Sequence, residues 1–306
     1  MIDGTMPTPA TRTQREGYAQ LGRIRLHYVE AGEGPLIVLL HGFPEFWFGW
    51  RHQIPALAAA GFRVVAPDMR GYNLSSKPKG VSSYATDALA ADVRDLIRER
   101  GEERAFLVGH DWGAAVAWYV AMNHPEVVAR LAILNGPHPR RILQGLRRPR
   151  QMARSWYIFF FQLPWLPERT VRAGRWWLGR NALATAARPD AFSAEDVERY
   201  LEAWSQQGAP TAMINYYRAL FRRTPKQTAA ALRPVTAPTR IIWGERDRYL
   251  GKEYAEPDRA AVPNLEQVIR LPDASHWVQH DKPDRVTSLL VEFFRSAAAA
   301  PARSGP

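Results

Sequence analysis

The chain of 306 residues contains no cysteine. That absence excludes disulfides, thiol nucleophiles, iron–sulfur clusters and cysteine-ligated zinc. It fits a reducing compartment, and a cytoplasmic location is expected. Lysine is scarce: five of the 41 basic residues are lysines and the rest are arginines. Acids are in deficit, 30 against 41, so the net charge is +11. No segment reads as a nucleic-acid-binding module, so the charge is read as solubility in an arginine-rich chain and no nucleic-acid partner is expected. Long apolar runs are missing too. The densest, Trp156–Phe161, is far short of the roughly 20 residues that span a bilayer. Met1–Gln20 lacks the apolar core of a secretion signal. Membrane association is not expected. The Ala/Pro/Ser/Gly-rich run Ser296–Pro306 is expected to fray.

What is present is an ordinary globular composition, 46% hydrophobic and 23% charged, in a chain long enough to bury a sizeable core. Ile24–Val29 alternates and reads as a strand, and Leu36–Leu40 is a continuous apolar run that reads as a buried one. Further strands are expected at Arg63–Ala66, Ala105–Val108, Leu131–Leu134, Thr239–Trp243 and Gln267–Leu271. Between them lie helices at Gln53–Ala60, Thr86–Arg100 and Ala114–Asn123, with a closing helix at Arg285–Arg295. Strands alternating with helices predict an α/β fold, a mostly parallel sheet with helices on both faces. Chemistry in such sheets sits at the carboxyl ends of the strands.

The pattern changes between 139 and 230. From Arg140 to Arg180 there are ten arginines and one acid, Glu168. No buried-strand run occurs, and helices are expected at Ala194–Ser205 and Thr211–Phe221. The organisation expected is a core of 1–138 and 231–306 with a helical lid of 139–230. The basic surface of the lid reads as solvated. Its aromatics Trp156, Phe159, Phe160 and Phe161 are expected to line an apolar pocket.

Gly109-His110-Asp111-Trp112-Gly113 stands between a strand and a helix. A small-x-nucleophile-x-small turn there lifts the central side chain above the sheet, and here that side chain is Asp111. Such an elbow draws its oxyanion donors from the next residue and from the loop after an earlier strand, hence the backbone N–H groups of Trp112 and Phe43. His41, in the same loop, reads as a residue that orders it. Asp247 and His276 each follow a later strand, and nucleophile, acid, histidine is the order such an elbow demands. Leu134-Asn135-Gly136, where an alternative acid would sit, is neutral.

An aspartate carboxyl, with an intrinsic pKa of about 3.9, needs no activation at neutral pH. It suits displacement at a saturated carbon, which gives an alkyl ester. Water activated by the histidine then attacks the ester carbonyl, and the oxyanion donors serve that half-reaction. Opening an epoxide makes a basic alkoxide that needs a proton donor, whereas expelling halide needs only N–H groups around the anion.

With His41-Gly42-Phe43-Pro44-Glu45, Pro67-Asp68-Met69-Arg70-Gly71-Tyr72, the Asp111 elbow, Asp247 and His276, the chain resembles the epoxide-hydrolase branch of the α/β-hydrolase superfamily. The likeness runs from about Arg23 to Phe294. It implies two lid tyrosines as acids. Asn215-Tyr216-Tyr217-Arg218 matches the Asn-aromatic-Tyr-Arg motif and assigns Tyr217. Tyr216, about 100° round the helix axis, should not share its pocket. Tyr157, four residues before Phe161-Gln162, is assigned as the second, although Trp165 stands where the family usually has glycine.

The reading is therefore a hydrolase that hydrates a small apolar epoxide to a vicinal diol through an ester on Asp111. It needs no cofactor and no metal. Asp111, Asp247, His276, Tyr157 and Tyr217 form its catalytic set, Phe43 and Trp112 its oxyanion hole, and Trp156 and Phe160 its pocket. A monomer or homodimer is expected. A haloalkane dehalogenase with the same triad is the alternative, although that family normally carries asparagine where Phe43 stands and lacks the tyrosine pair. Fluoroacetate dehalogenases are disfavoured by Trp112 and Ala115, where they carry arginine. A third reading is a non-catalytic ligand-binding protein of this fold.

Overall fold

The computed structural model describes residues 14–298. Expectations for Met1–Thr13 and for the run beyond Ala298 lie outside the described residues. The core elements are β1 (Arg15–Leu21), β2 (Ile24–Ala31), β3 (Leu36–Leu40), α1 (Gln53–Ala59), β4 (Arg63–Pro67), α2 (Thr86–Glu99), β5 (Ala105–His110), α3 (Trp112–Asn123) and β6 (Val128–Leu134). After β6 come α4 (Pro139–Gly145), α5 (Pro149–Arg154), α6 (Trp156–Phe160), α7 (Leu166–Leu183), α8 (Ala194–Ser205), α9 (Ala209–Leu220) and α10 (Pro225–Ala231). The chain then returns to β7 (Thr239–Gly244), β8 (Leu265–Leu271), α11 (Val278–Asp281) and α12 (Pro283–Ala298).

The eight strands form one sheet in the order β1-β2-β4-β3-β5-β6-β7-β8. β2 is antiparallel to both β1 and β4, and every other pairing is parallel. β3 shows why the sheet is buried on both faces. Its five residues are all apolar and all buried. Leu36, Val38 and Leu40 face one core, which includes Leu107, Trp118 and Leu96, while Ile37 and Leu39 face the other, with Ile54, Leu290 and Phe294. A side-chain period of two permits nothing else once helices cover both sides.

β1 is absent from the sequence reading. Only Ala19 of its seven residues is buried, so it carries no apolar alternation. It is an edge strand held by backbone pairing to β2, Leu21 opposite Ile24.

The helices between β6 and β7 lie against the carboxyl ends of the strands. Three long-range bonds set their position. Trp204 Nε1–H donates to the Pro44 carbonyl, the Tyr200 hydroxyl donates to Glu45 Oε1 at 2.8 Å, and the Tyr216 hydroxyl donates to the Arg70 carbonyl at 2.6 Å. α7 is broken in the middle: Gly174, Arg175 and Trp176 have φ of 57°, 51° and 61°.

Candidate active site

β5 hands the chain to α3 through Asp111, whose backbone (φ 52°, ψ −116°) leaves both the strand and the helix regions. The turn closes because two neighbours lack a Cβ. A methyl on Gly113 would stand 2.1 Å from the Leu40 carbonyl oxygen, and one on Gly42 would stand 2.4 Å from the Asp111 Cβ. The loop after β3 therefore passes directly beneath Asp111. There the Phe43 N–H donates to Asp111 Oδ1 at 2.8 Å. The Trp112 N–H opens α3, where no helical carbonyl precedes it to accept. His41 orders this loop: its Nε2 accepts from the Met69 N–H at 2.9 Å, and its Nδ1 donates to the Gly42 carbonyl at 3.0 Å.

β7 and β8 deliver the other two members. His276 Nδ1 lies 2.7 Å from Asp247 Oδ2, and Nε2 lies 3.6 Å from Asp111 Oδ2. Asp247 is fully engaged. The Asn135 amide donates to Oδ2 at 2.8 Å, and the Tyr249 and Leu250 N–H groups donate to Oδ1 at 2.7 and 2.9 Å. Burial pushes its carboxyl up. The charged His276 ring, that ring's N–H and the Asn135 amide outweigh burial and hold it below the usual carboxylate range. For His276, burial works against charge, but Asp247 and then Asp111 override it and raise the ring to about 9. The two aspartates thus favour the charged form of the His276 ring.

Behind the triad lies a buried network that the sequence reading did not find. Glu45 accepts from the Tyr200 hydroxyl, from Gln279 Nε2 at 2.9 Å and from His280 Nε2 at 2.7 Å. Arg51 donates to His280 Nδ1 at 3.0 Å, which leaves the His280 proton on Nε2 for Glu45. His110 Nδ1 lies 3.2 Å from Glu45 Oε2, and its Nε2 donates to the His276 carbonyl at 2.9 Å. Burial would raise the Glu45 carboxyl, but His280 and His110 hold it well below its ordinary value. The network ties the oxyanion loop, the elbow and α11 to one buried charge.

Asp111 and His276 open into a cavity of about 650 Å³, closed from above by α6, α7 and α9. Tyr157 and Tyr217 both line it, 5.8 Å apart between ring centroids. Burial and the Asp111 charge keep both hydroxyls well above the ordinary tyrosine value, so both are protonated. Tyr216 turns the other way, onto Tyr72 and Tyr84 in the core. Phe160 lines the cavity, and Trp156 lines it while remaining 56% exposed, which puts it at the mouth. Phe159, expected in the pocket, meets Phe221 at the outer surface instead, the two rings tilted by 52°, because it projects from the opposite side of the five-residue α6. Tyr249 was not anticipated: its ring lies 5.2 Å from His276 and 6.3 Å from Tyr157. Asn135, neutral where an alternative acid would sit, helps to fix Asp247 through its amide. Among the described residues no cluster of three His, Asp or Glu side chains is placed to hold a metal ion.

A family model described as the alpha/beta hydrolase fold matches residues 35–283. The chain is 46% identical over 279 residues to the AB hydrolase superfamily protein YfhM of Bacillus subtilis (strain 168), covering 89% of this chain and 95% of that one. It is 38% identical over 280 residues to Epoxide hydrolase 4 of Mus musculus, covering 89% and 77%. Among solved structures, an epoxide hydrolase of Bacillus megaterium in complex with an inhibitor superposes with a TM-score of 0.82 at 34% identity, over 91% of this chain and all of that one.

Proposed function

The chain belongs to the epoxide hydrolases of the α/β-hydrolase superfamily, and we propose that it hydrates its epoxide through a covalent ester on Asp111. One observation carries this reading. The two Asp111 oxygens are already differentiated, Oδ1 on the Phe43 N–H and Oδ2 toward His276 and the cavity. Oδ2 is the attacking atom, and Oδ1 becomes the ester carbonyl oxygen, seated in advance in the oxyanion hole. The core is 1–138 with 231–306 and the cap 139–230, a boundary that α10 overruns by one residue.

In the first step Oδ2 forms a bond to one epoxide carbon and the carbon–oxygen bond breaks. Tyr217 or Tyr157 gives the departing oxygen a proton, and the other hydroxyl donates a hydrogen bond. Asp111 is now neutral, so the imidazolium of His276 loses one of the two carboxylates that raised it. It releases its proton, which restores the tyrosine. Neutral His276 then takes a proton from water as the water oxygen bonds to Asp111 Cγ. The oxyanion on Oδ1 is held by the Phe43 and Trp112 N–H groups. A donor of this kind is worth about 10²–10³ in rate. Collapse expels the diol oxygen, which takes the remaining proton from the Asp111 carboxyl. The site returns to carboxylate, imidazolium and two tyrosines.

A single turnover in oxygen-18 water with enzyme in excess tests the reading. The label should enter Asp111 and not the diol, because water attacks the ester carbonyl. Label found directly in the diol would reduce Asp111 to a base. Ready release of halide from haloalkanes, with no diol from any epoxide, would replace the reading by a dehalogenase.

A further inference from the structure

We infer that the outer face of the cap is a docking surface for an anionic lipid bilayer, with the cavity mouth opening onto the membrane. Among the described residues twelve large hydrophobic side chains are more than a third exposed, and all but Tyr18 and Leu74 lie between 143 and 221. Two of them meet directly, the Phe159 and Phe221 ring centroids lying 5.9 Å apart, and Arg218 of α9 ties down the Leu163 carbonyl in the loop before α7. Trp156 and Trp177 line the cavity yet are 56% and 60% exposed, so they rim its mouth. Trp165, 64% exposed, caps α7 at φ 48°, in the left-handed region that bulky residues rarely adopt. Isolated exposed apolar residues need no explanation, but a concentration of this kind on one element group marks an interaction site.

The charge on the same segment identifies the partner. Residues 140–180 carry ten arginines against Glu168, a net +9, which leaves +2 for the rest of the chain (+11 less +9). Glu168 is turned inward onto Arg218 at 2.6 Å. Arg147, Arg148 and Arg150 are exposed, and none of them takes part in the ion pairs found among the described residues. A second copy of the chain would set this surface against itself across a two-fold axis, arginine facing arginine. A single-stranded nucleic acid would stack on the aromatics but would leave Leu163, Leu166 and Leu220 without a role. A bilayer surface uses every component: arginines on lipid phosphates, tryptophans at headgroup depth and leucines among the acyl chains. Contact is peripheral, since no helix among the described residues is long and apolar enough to cross a membrane. The sequence alone favoured a solvated lid, because it could not show that Phe159, Trp165 and Trp177 face outward.

Co-sedimentation with vesicles of phosphatidylcholine plus phosphatidylglycerol, and of phosphatidylcholine alone, tests the inference at physiological salt. The expected result is binding to the anionic vesicles and much weaker binding to the neutral ones. Arg147→Gln, Arg148→Gln and Arg150→Gln should each weaken it about five-fold, and together on the order of 100-fold. The pair Phe159→Ser and Trp165→Ser should abolish the part of the binding that survives high salt. Both sets should keep wild-type diol formation from a water-soluble epoxide, which shows that they fold. No vesicle binding, or binding indifferent to the arginines, would overturn the inference. So would retention on a single-stranded oligonucleotide, or concentration-dependent dimerisation, in place of vesicle binding. The assay reads binding alone, so its failure is distinct from failure of the proposed reaction.

Discussion

His276 Nε2 stands 3.6 Å from Asp111 Oδ2, close enough to feel the carboxylate charge and too far for a firm hydrogen bond. The relation makes the histidine's basicity depend on the state of the nucleophile. With Asp111 ionised the ring sits at about 9, a value that a general base at neutral pH could not use. In the proposed reaction, esterification of Asp111 would remove one of the negative charges that raise the ring, and His276 would become a base at the step that needs one.

The first prediction follows from that sign. Removing the Asp111 charge must lower the His276 pKa. In Asp111→Asn, with mass spectrometry confirming that the amide persists, NMR titration of the ring should place it below the wild-type value. An unchanged value would break the proposed coupling. Kinetically, hydrolysis of a preformed ester should slow as pH falls through the lowered value, because only neutral His276 takes the proton from water.

His276→Gln separates the two half-reactions. Oδ2 remains free to attack and both tyrosines remain, so alkylation should proceed. Hydrolysis should stop for want of a base. Intact-protein mass spectrometry after mixing with an epoxide should show an adduct of the full substrate mass, localised to the peptide holding Asp111. Turnover without adduct would remove His276 from the chemistry.

Much of this arrangement was legible in the sequence, and the illegible parts share a cause. β3 announces itself through five adjacent apolar residues, and the elbow through two glycines around Asp111. Asp247 and His276 stand out because each follows shortly after a strand, β7 or β8. Local signals of this kind survive in one dimension. β1 has no such signal, since its stability comes from backbone pairing at an edge. The partners of Glu45 are separated from it by 155, 234 and 235 positions, and no local pattern joins them. Asn135 looks like an empty position until its amide is seen on Asp247. The outward turn of Phe159 depends on which side of a short helix meets the core.

Glu45 supplies a stability prediction. It is fully buried and satisfies three donors, so Glu45→Ala leaves the His280 N–H, the Gln279 amide and the Tyr200 hydroxyl without their acceptor. Breaking a buried charged network from one side costs roughly 3–5 kcal/mol. Urea denaturation should show a loss of that order in Glu45→Ala, with a smaller loss in Glu45→Gln, which retains one oxygen acceptor. Losses within about 0.5 kcal/mol, the size of an ordinary surface substitution, would mean that the network does not hold the loop.

The last prediction bears on the leaving oxygen. Tyr157 and Tyr217 share the cavity with Asp111, and burial keeps both hydroxyls protonated. General acid catalysis contributes about 10²–10⁴-fold. Either single change, Tyr157→Phe or Tyr217→Phe, should slow alkylation by less than that range, because the remaining hydroxyl still donates. The double variant should lose the full factor while staying folded, since phenylalanine keeps the ring contacts of each tyrosine. Stopped-flow measurement should place the loss in ester formation and leave hydrolysis of a preformed ester nearly unchanged. An alkyl halide provides the control. Its leaving group needs no proton, so any slow alkylation of Asp111 by a reactive halide should be far less sensitive to the double change. Equal losses with both substrates would mean that the tyrosines shape the cavity and do not protonate the opening oxygen.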